Sequence, residues 1–350
     1  MPFAGGSYAD ETKPWALQDT VNYIPTLSER PGARSQAILK CGPGLRLRAS
    51  VGNGPIRGAH NAEGRLLAVS GNKLYWVKTD FTAQEIGTIP GVGRVQIAHN
   101  QIAGGNEVLI ATGDAGYVYS TKDNTLTQVT DEGYPGASTV RYMGQYLLQI
   151  DPLRRFFFHS DLADAFSYST IDRYEAEASP DRLMCLEVNA GRVLVFGERT
   201  IDVYENVVTE NAAFQRSGIV IDRGCASPHA SCVLDNAVIF LGDDGIIYRM
   251  DGYNPVRISH HPLETEISNS DIRRAFFTIW ESRGHKVAYL TLQNGKTWGY
   301  DVASQEWHRR KSHGMDRWRV NTLTQWNGMC IAGDYSNGNL YSLDWDYMME

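Results

Sequence analysis

The chain lacks the cysteine pattern of a metal-binding or disulfide-stabilised protein. Its five cysteines are odd in number and widely scattered, and no two form a Cys-x-x-Cys pair. Zinc ribbons and dithiol redox motifs need closely spaced thiols, so both classes are excluded. We expect reduced thiols in the core of a protein made in a cytoplasm.

Long apolar runs are missing as well. No stretch approaches the ~20 apolar residues that a membrane-spanning helix requires. The first residues, MPFAGGSYADETKPW, contain no basic region followed by an apolar run. We therefore expect neither a signal peptide nor a membrane span.

The sequence contains no recognisable catalytic or nucleotide-binding motif. Gly-x-Ser-x-Gly, Walker and dinucleotide fingerprints are absent. The adjacent pair His260-His261 cannot chelate a metal on a strand, because neighbouring side chains point to opposite faces. Asp243-Asp244 lacks the spaced oxygen ligands of a calcium loop and fits a turn instead. We predict no catalytic, cofactor or metal site.

Basic residues are fewer than acidic residues. The formal net charge is −7, and an acidic chain does not bind nucleic acid strongly as a whole. This balance argues against a conventional DNA-binding protein, although it leaves room for a local basic patch.

What the chain does contain is a repeated β-hairpin. Residues 235–255 read DNAVIFLGDDGIIYRMDGYNP, with an apolar run and an aromatic-bearing strand on either side of an Asp-Gly turn. Six other stretches repeat this order of apolar run, turn and aromatic-bearing strand: residues 65–77, 107–120, 145–160, 192–204, 286–300 and 329–343.

The spacing of the repeat predicts the fold. Equivalent aromatic residues are Tyr75, Tyr119, Phe157, Tyr204, Tyr248, Trp298 and Tyr341. A repeat of roughly 44 residues made of strands and turns is typical of a β-propeller with four-stranded blades. We predict an all-β protein with seven blades; six is the alternative if the Phe157 copy is an insertion.

We divide the chain into an extended N-terminal arm, residues 1–35, and a single propeller domain, residues 36–350. Residues 37–40 and 45–48 are predicted to form a first strand pair that supplies the outer strand of the last blade, because a propeller must join its ends. The only helical candidates, residues 160–174 and 268–279, are short and are equally compatible with loops.

One stretch mixes basic and aromatic residues. Residues 306–320 read EWHRRKSHGMDRWRV. Such a mixture fits a nucleic-acid surface, an arginine-rich protein interface or a plain loop between strands. The candidate partner-interface residues, including two aromatics of the arm, are Trp15, Tyr23, Trp307, Arg309, Arg310, Lys311, Arg317 and Trp318.

Several segments of the sequence resemble those of a known protein family. Residues 196–204 (FGERTIDVY), 221–228 (IDRGCASP) and 253–259 (YNPVRIS) are similar to the packaged-DNA-stabilisation, or tail-nozzle, proteins of short-tailed bacteriophages. Shorter matches lie at residues 22–25, 43–45 and 178–182. The resemblance runs from about residue 20 to 265 and is most specific in its middle third.

This resemblance implies a structural, non-enzymatic virion protein of the phage tail. Such proteins form a homohexameric ring below the portal and the head-to-tail adaptor, continue the DNA channel and help retain the packaged genome until ejection. They also anchor tail fibres or spikes and a distal plug. Double-stranded DNA would pass without sequence-specific contacts. We expect acidic and polar loops to face the lumen and arginine-rich loops to meet neighbouring subunits.

Two other functions remain open at this point. The first is a propeller that processes or binds glycans at its central funnel. The second is a monomeric interaction scaffold of the WD or kelch kind, although the signatures of those repeats do not recur here. The sequence does not indicate which loops line the channel, which partners dock or how the distal end closes.

Overall fold

The protein folds into a ring of seven four-stranded antiparallel sheets. The computed structural model describes residues 4–9, 17–28, 35, 37–102, 105–175, 181–207 and 212–348. Within these residues, no helix is long and apolar enough to cross a membrane. The predicted seven-bladed, all-β propeller is confirmed.

Four strands precede the blades, and the fifth strand closes the ring. They are β1 (Tyr8–Ala9), β2 (Leu17–Gln18), β3 (Tyr23–Leu27), β4 (Ala37–Cys41) and β5 (Gly44–Ser50).

Blades one to three follow in chain order. They comprise β6 (Ile56–Ala62), β7 (Arg65–Ser70), β8 (Lys73–Val77) and β9 (Ala83–Thr88); β10 (Gln96–His99), β11 (Glu107–Ala111), β12 (Gly116–Ser120) and β13 (Thr125–Gln128); and β14 (Thr139–Met143), β15 (Tyr146–Ile150), β16 (Phe156–His159) and β17 (Arg173–Glu175).

Blades four to seven complete the ring. They comprise β18 (Leu183–Asn189), β19 (Arg192–Gly197), β20 (Ile201–Asn206) and β21 (Phe214–Ile221); β22 (Ser231–Leu234), β23 (Ala237–Leu241), β24 (Ile247–Asp251) and β25 (Asn254–Arg257); β26 (Phe276–Ser282), β27 (His285–Thr291), β28 (Thr297–Asp301) and β29 (Glu306–Arg310); and β30 (Val320–Trp326), β31 (Met329–Asp334) and β32 (Asn339–Asp344) with β5.

The repeated hairpin of the sequence is the second and third strand of every blade. Six of the seven recurring aromatic side chains are buried, and Tyr75 is partly buried. They pack between neighbouring blades: the ring centres of Phe157 in blade three and Tyr204 in blade four are 4.8 Å apart. Aromatic pairs in this edge-to-face arrangement stabilise a core beyond the area that they bury.

The ring closes through β5, which pairs with β32 from Ser50 opposite Asn339 to Gly44 opposite Asp344. The prediction that an N-terminal strand closes the propeller is therefore confirmed. Leu45 on this strand is buried in a cluster with Trp280, Val287 and Tyr341, which ties the closing strand to blades six and seven.

The predicted strand pair within residues 37–48 is wrong. β4 pairs with β3, while β5 pairs with β32. The intervening Gly42-Pro43-Gly44 does not turn back; the Gly42 amide donates to the Asn22 carbonyl and the Gly44 amide to the Tyr347 carbonyl, at 2.9 and 2.8 Å. A Cβ on Gly42 would collide with the Arg310 guanidinium, so the chain passes closely over blade six. The boundary that we placed between the N-terminal arm and the propeller domain, at residues 35 and 36, lies between the two strands of the β3–β4 hairpin.

The helical content differs from the sequence prediction. The α-helix is α1 (His261–Ser268), and a 3-10 turn spans Ile272–Arg274, whereas residues 160–174 form turns and the short strand β17. His260 caps α1 by accepting a hydrogen bond from the Leu263 amide at 3.2 Å. Proline in the first turn and a glutamate at 264 stabilise a helix start. His260 therefore lies in the loop that follows β25 and caps the helix, and His261 is the first helical residue.

We expect the closing strand to contribute strongly to stability. Leu45 is 1% exposed, whereas Leu47 on the same strand is 56% exposed. Leu45→Ala should lower the free energy of unfolding by about 2–5 kcal/mol, because it leaves a cavity in a packed core. Leu47→Ala, the matched control, should change it by about 0.5 kcal/mol or less. Denaturant unfolding measures both, and equal losses would contradict a packed closure.

Candidate functional site

The first strands of the seven blades surround a central channel. Their side chains, with those of the preceding loops, enclose about 600 Å³. Apolar side chains such as Ile97, Ile279 and Leu323 form much of the wall. Polar and cationic side chains gather where the first strands begin, and we call this group (Arg94, Gln96, Arg141, His229 and their partners) the channel floor.

A buried ion pair forms one side of the floor. Arg141 on β14 binds Glu187 on β18 with two parallel hydrogen bonds, each 2.8 Å long. Ser231 on β22 donates to the same carboxylate at 2.8 Å. Burial would lower the pKa of Arg141, but the charge and hydrogen bonds of Glu187 raise it. The pair links blades three, four and five, and its charges cancel.

Side chains from opposite blades meet across the floor. Gln96 in blade two lies 3.0 Å from His229, which precedes blade five, and it also accepts a hydrogen bond from Arg141 at 2.6 Å. The Arg94 guanidinium carbon lies 3.9 Å from the centre of the Phe276 ring in blade six. Contacts this short across the axis close the channel at this end.

Arg94 is the charged group of the floor without a carboxylate partner among the described residues. Its Nη1 donates to the Asn321 backbone and side-chain oxygens at 2.9 and 2.8 Å. Burial lowers the pKa of Arg94 to about 9, and the nearby charge of Arg317 adds to the effect. Burial also lowers the pKa of His229 to about 3, with Arg94 and Arg141 contributing.

A histidine pair lies further along the channel. His60 Nε2 on β6 and His99 Nδ1 on β10 are 2.7 Å apart. One ring must donate and the other accept, so at least the accepting ring is neutral in this arrangement. Burial, and then the His99 charge, lower the pKa of His60 to about 4; burial lowers that of His99 as well.

No carboxylate is among the described residues that line the channel, whereas glycoside hydrolysis needs two carboxylates flanking a bond. Glu187 lies beside the floor and is held by Arg141. No group of three or more His, Cys, Asp or Glu side chains in the described part of the chain is arranged to hold a metal ion. The Asp243-Asp244 pair makes turn contacts: Asp244 accepts from Ile246 and Tyr248, and Asp243 from Gly224.

The predicted interface residues lie on and near blade six. Trp15 falls outside the described residues. Tyr23 and Lys311 are exposed. Trp307, Arg310 and Trp318 are buried within the chain. Trp307 donates its indole N–H to the Ile258 carbonyl at 2.7 Å, and the Arg310 guanidinium lies over the Trp318 ring at 4.9 Å.

The two remaining arginines are also engaged inside the chain. Arg317 lies 4.0 Å from the Tyr335 ring centre, and Arg309 forms an ion pair with Asp19 at 2.9 Å. The basic and aromatic residues of this stretch therefore contact one another and the N-terminal segment. Tyr23 and Lys311 are the two that present their side chains to solvent.

The N-terminal segment covers the outer edge of blade six. The Ser7 amide donates to the Trp307 carbonyl at 2.6 Å, the Arg309 amide to the Thr20 carbonyl at 2.8 Å and the Asn22 amide to the Arg309 carbonyl at 2.9 Å. The Asn22 side chain continues the pattern to Lys311. These bonds satisfy an edge that would otherwise be free to pair with other strands.

Sequence reasoning missed the residues of the channel floor. The repeat was recognised from the second and third strands, whereas Arg94, Gln96, Arg141 and His229 lie on or just before first strands. The available signal was a polar or charged residue shortly before each apolar run, as at Arg141 before residues 145–160.

Comparison with known proteins identifies relatives at the level of family and of fold. A family model described as the phage stabilisation protein, bacteriophage P22 Gp10, β-propeller, matches residues 1–348. No curated protein sequence matches the chain.

Among solved structures, the WD40 β-propeller domain of Doa1 is similar with a TM-score of 0.54 and 12% identity, covering 86% of this chain and 96% of that domain. The extracellular domain of the one-component system BT4673 from B. thetaiotaomicron is similar with a TM-score of 0.58 and 9% identity. That match covers 86% of this chain and 40% of the other. At such identities the likeness extends to the propeller fold alone.

The channel histidines should make the fold sensitive to acid. The folded-state pKa values of His60 and His229, about 4 and 3, lie below the ordinary value of 6.5. Between these values the unfolded chain binds protons that the folded chain does not, so the free energy of unfolding should fall as pH drops from 6.5 toward 4.

Denaturant unfolding at a series of pH values measures this dependence. His60→Gln and His229→Gln should each weaken it, whereas His313→Gln, on an exposed loop away from the channel, is the control. A pH dependence unchanged in both channel variants would contradict the assignment.

Proposed function

Because the chain belongs to the phage stabilisation family of β-propellers represented by bacteriophage P22 Gp10, we propose that it is a structural protein of a short-tailed phage tail. It forms a homohexameric ring below the portal and the head-to-tail adaptor, continues the DNA channel and helps to retain packaged DNA. Its outer surface anchors fibres, spikes or a distal plug. The family match over residues 1–348 carries this proposal.

The DNA path runs between subunits rather than along the axis of one propeller. The contacts Gln96–His229 and Arg94–Phe276 span the propeller axis at about the distance of a hydrogen bond. The major groove of a DNA duplex is alone about 12 Å wide, so a duplex has no room there. A ring of propellers, in contrast, leaves an opening at its own centre.

An acidic surface suits the lumen of such a ring. Residues 114–175, which cover most of blades two and three, contain nine acidic and five basic residues. Each neutralised phosphate adds affinity for DNA, and affinity slows passage. We assign the lumen to this acidic side, so that DNA slides instead of being gripped.

The subunit contact involves the β3–β4 hairpin. Tyr23 and Leu27 on one face of this hairpin are exposed by 47 and 49%, while Ile24 on the other face is fully buried and anchors the hairpin to blades six and seven. Two half-exposed apolar side chains on one face of an anchored hairpin form a candidate patch for a second copy of the chain. Lys311, close by through Asn22, lies at its edge.

The ring is tested by imaging tails assembled from the portal, the adaptor and this chain. We expect six copies of the 39.0 kDa chain in one ring below the adaptor. Tyr23→Ser combined with Leu27→Ser should reduce incorporation, whereas Val92→Ser, at a 94% exposed position outside the hairpin, is the control. A single copy per tail, or density away from the DNA axis, would contradict the proposal.

Charge reversal tests the assignment of the lumen. Glu132→Lys and Asp161→Lys, at exposed positions of the acidic side, should raise the affinity of assembled rings for duplex DNA and steepen its salt dependence. Asp251→Lys, at an exposed position in blade five, should change neither. Fluorescence anisotropy with labelled DNA measures both quantities, and an equal response of all three variants would place the lumen elsewhere.

A further inference from the structure

The central channel of the propeller is a blind funnel. Its floor is closed by the contacts of Gln96 and Arg94 across the axis, and the space extends to the end where the first strands finish, near His99 and the exposed Gln101. A concave space of about 600 Å³ that is lined by apolar side chains together with convergent polar groups has the form of a small-ligand site.

Arg94 gives the floor a positive charge that no carboxylate among the described residues compensates, and Arg317 lies near it. The charge of Arg141 is cancelled by Glu187, and His60, His99 and His229 are neutral at pH 7, since burial lowers the pKa of each. Arg94 is left without a carboxylate among the described residues. The chain as a whole has a net charge of −7, so this local excess runs against the overall balance.

Arg94 also keeps hydrogen-bond donors unused. Its Nη1 serves Asn321, but its Nε and Nη2 have no hydrogen-bond partner among the described residues. Arg57, buried close by, is different: it donates to the carbonyls of Gly93, Gly71, Ile89 and Pro90 at 2.6 to 3.2 Å. The hydrogen bonds of Arg57 are therefore structural, whereas the Arg94 guanidinium has two nitrogens that can still bind a ligand.

We propose that the funnel binds a monovalent carboxylate with an apolar body, its oxygens on the Arg94 guanidinium and its body between the apolar walls. The planar guanidinium matches a carboxylate with two parallel hydrogen bonds. Ile97, Ile279 and Leu323 supply the apolar contact for the body.

The protonation behaviour of Arg94 is consistent with this site. Its pKa falls to about 9 because the guanidinium is buried and the charge of Arg317 lies nearby. A bound carboxylate supplies a counter-charge and raises the pKa of Arg94 toward its ordinary value.

The same carboxylate chemistry has two sources. It belongs either to a free organic acid or to the end or side chain of a peptide segment. The two are distinguished by comparing 3-phenylpropionate with a short peptide that ends in phenylalanine with a free carboxyl group. Tighter binding of the peptide assigns a protein source, and tighter binding of the free acid assigns a small molecule.

Calorimetric titration of the full chain tests the proposal. We expect 3-phenylpropionate to bind at least ten-fold more tightly than the neutral 3-phenylpropanamide, and inorganic phosphate to bind more weakly than the acid. Arg94→Gln should abolish the difference between acid and amide. Arg283→Gln, which removes an exposed arginine stacked on Trp345, is the matched control and should preserve it.

A second variant tests the site with a milder change. Arg94→Lys keeps the positive charge but cannot form two parallel hydrogen bonds with a carboxylate, so it should retain part of the preference for the acid. Thermal unfolding of each variant shows whether the propeller is intact. Equal binding of acid and amide, binding of neither, or a preference that survives Arg94→Gln in a folded protein would overturn the proposal. None of these results depends on whether the protein forms a ring.

Discussion

A β-sheet ends in a row of unpaired backbone groups, and the architecture of this protein follows from how those groups are satisfied. Seven sheets arranged in a ring bury their faces against one another, but only if the last sheet is completed. The pairing of β5 with β32 does this. It holds the seven first strands around one axis and thereby brings Arg94, Gln96, Arg141 and His229 together from distant parts of the sequence. The channel floor therefore depends on the closure.

The blades were predictable because their central hairpins follow a strong local rule. Alternating apolar residues, a turn and a buried aromatic recur at a nearly constant spacing, and each copy meets the same neighbours. The separation of β5 from β4 was not predictable in the same way, because the connection between them contacts Arg310 and Tyr347, which are remote in sequence. Helix α1 had local signals in Pro262 and Glu264, but its eight residues are too few to show a helical period.

Composition alone does not separate an interface from an interior. Trp307, Arg310 and Trp318 have the residue types of a binding surface, yet Arg310 lies on Trp318 and its guanidinium donates to the Pro43 carbonyl. A cation on an aromatic ring is as favourable inside a chain as between two chains. Conversely, the channel residues carry no common motif, since each blade contributes a different side chain. Only the ring arrangement shows that they face one another.

The order of β5 and β32 along the chain has a consequence for synthesis. A ribosome releases β5 early, and the strand that it must pair with is made only after six complete blades have emerged. Until then the nascent propeller is an open arc with an unpaired strand at its start and an uncovered sheet at its growing end. Any association that requires the closed propeller is thereby delayed until the last blade has been translated.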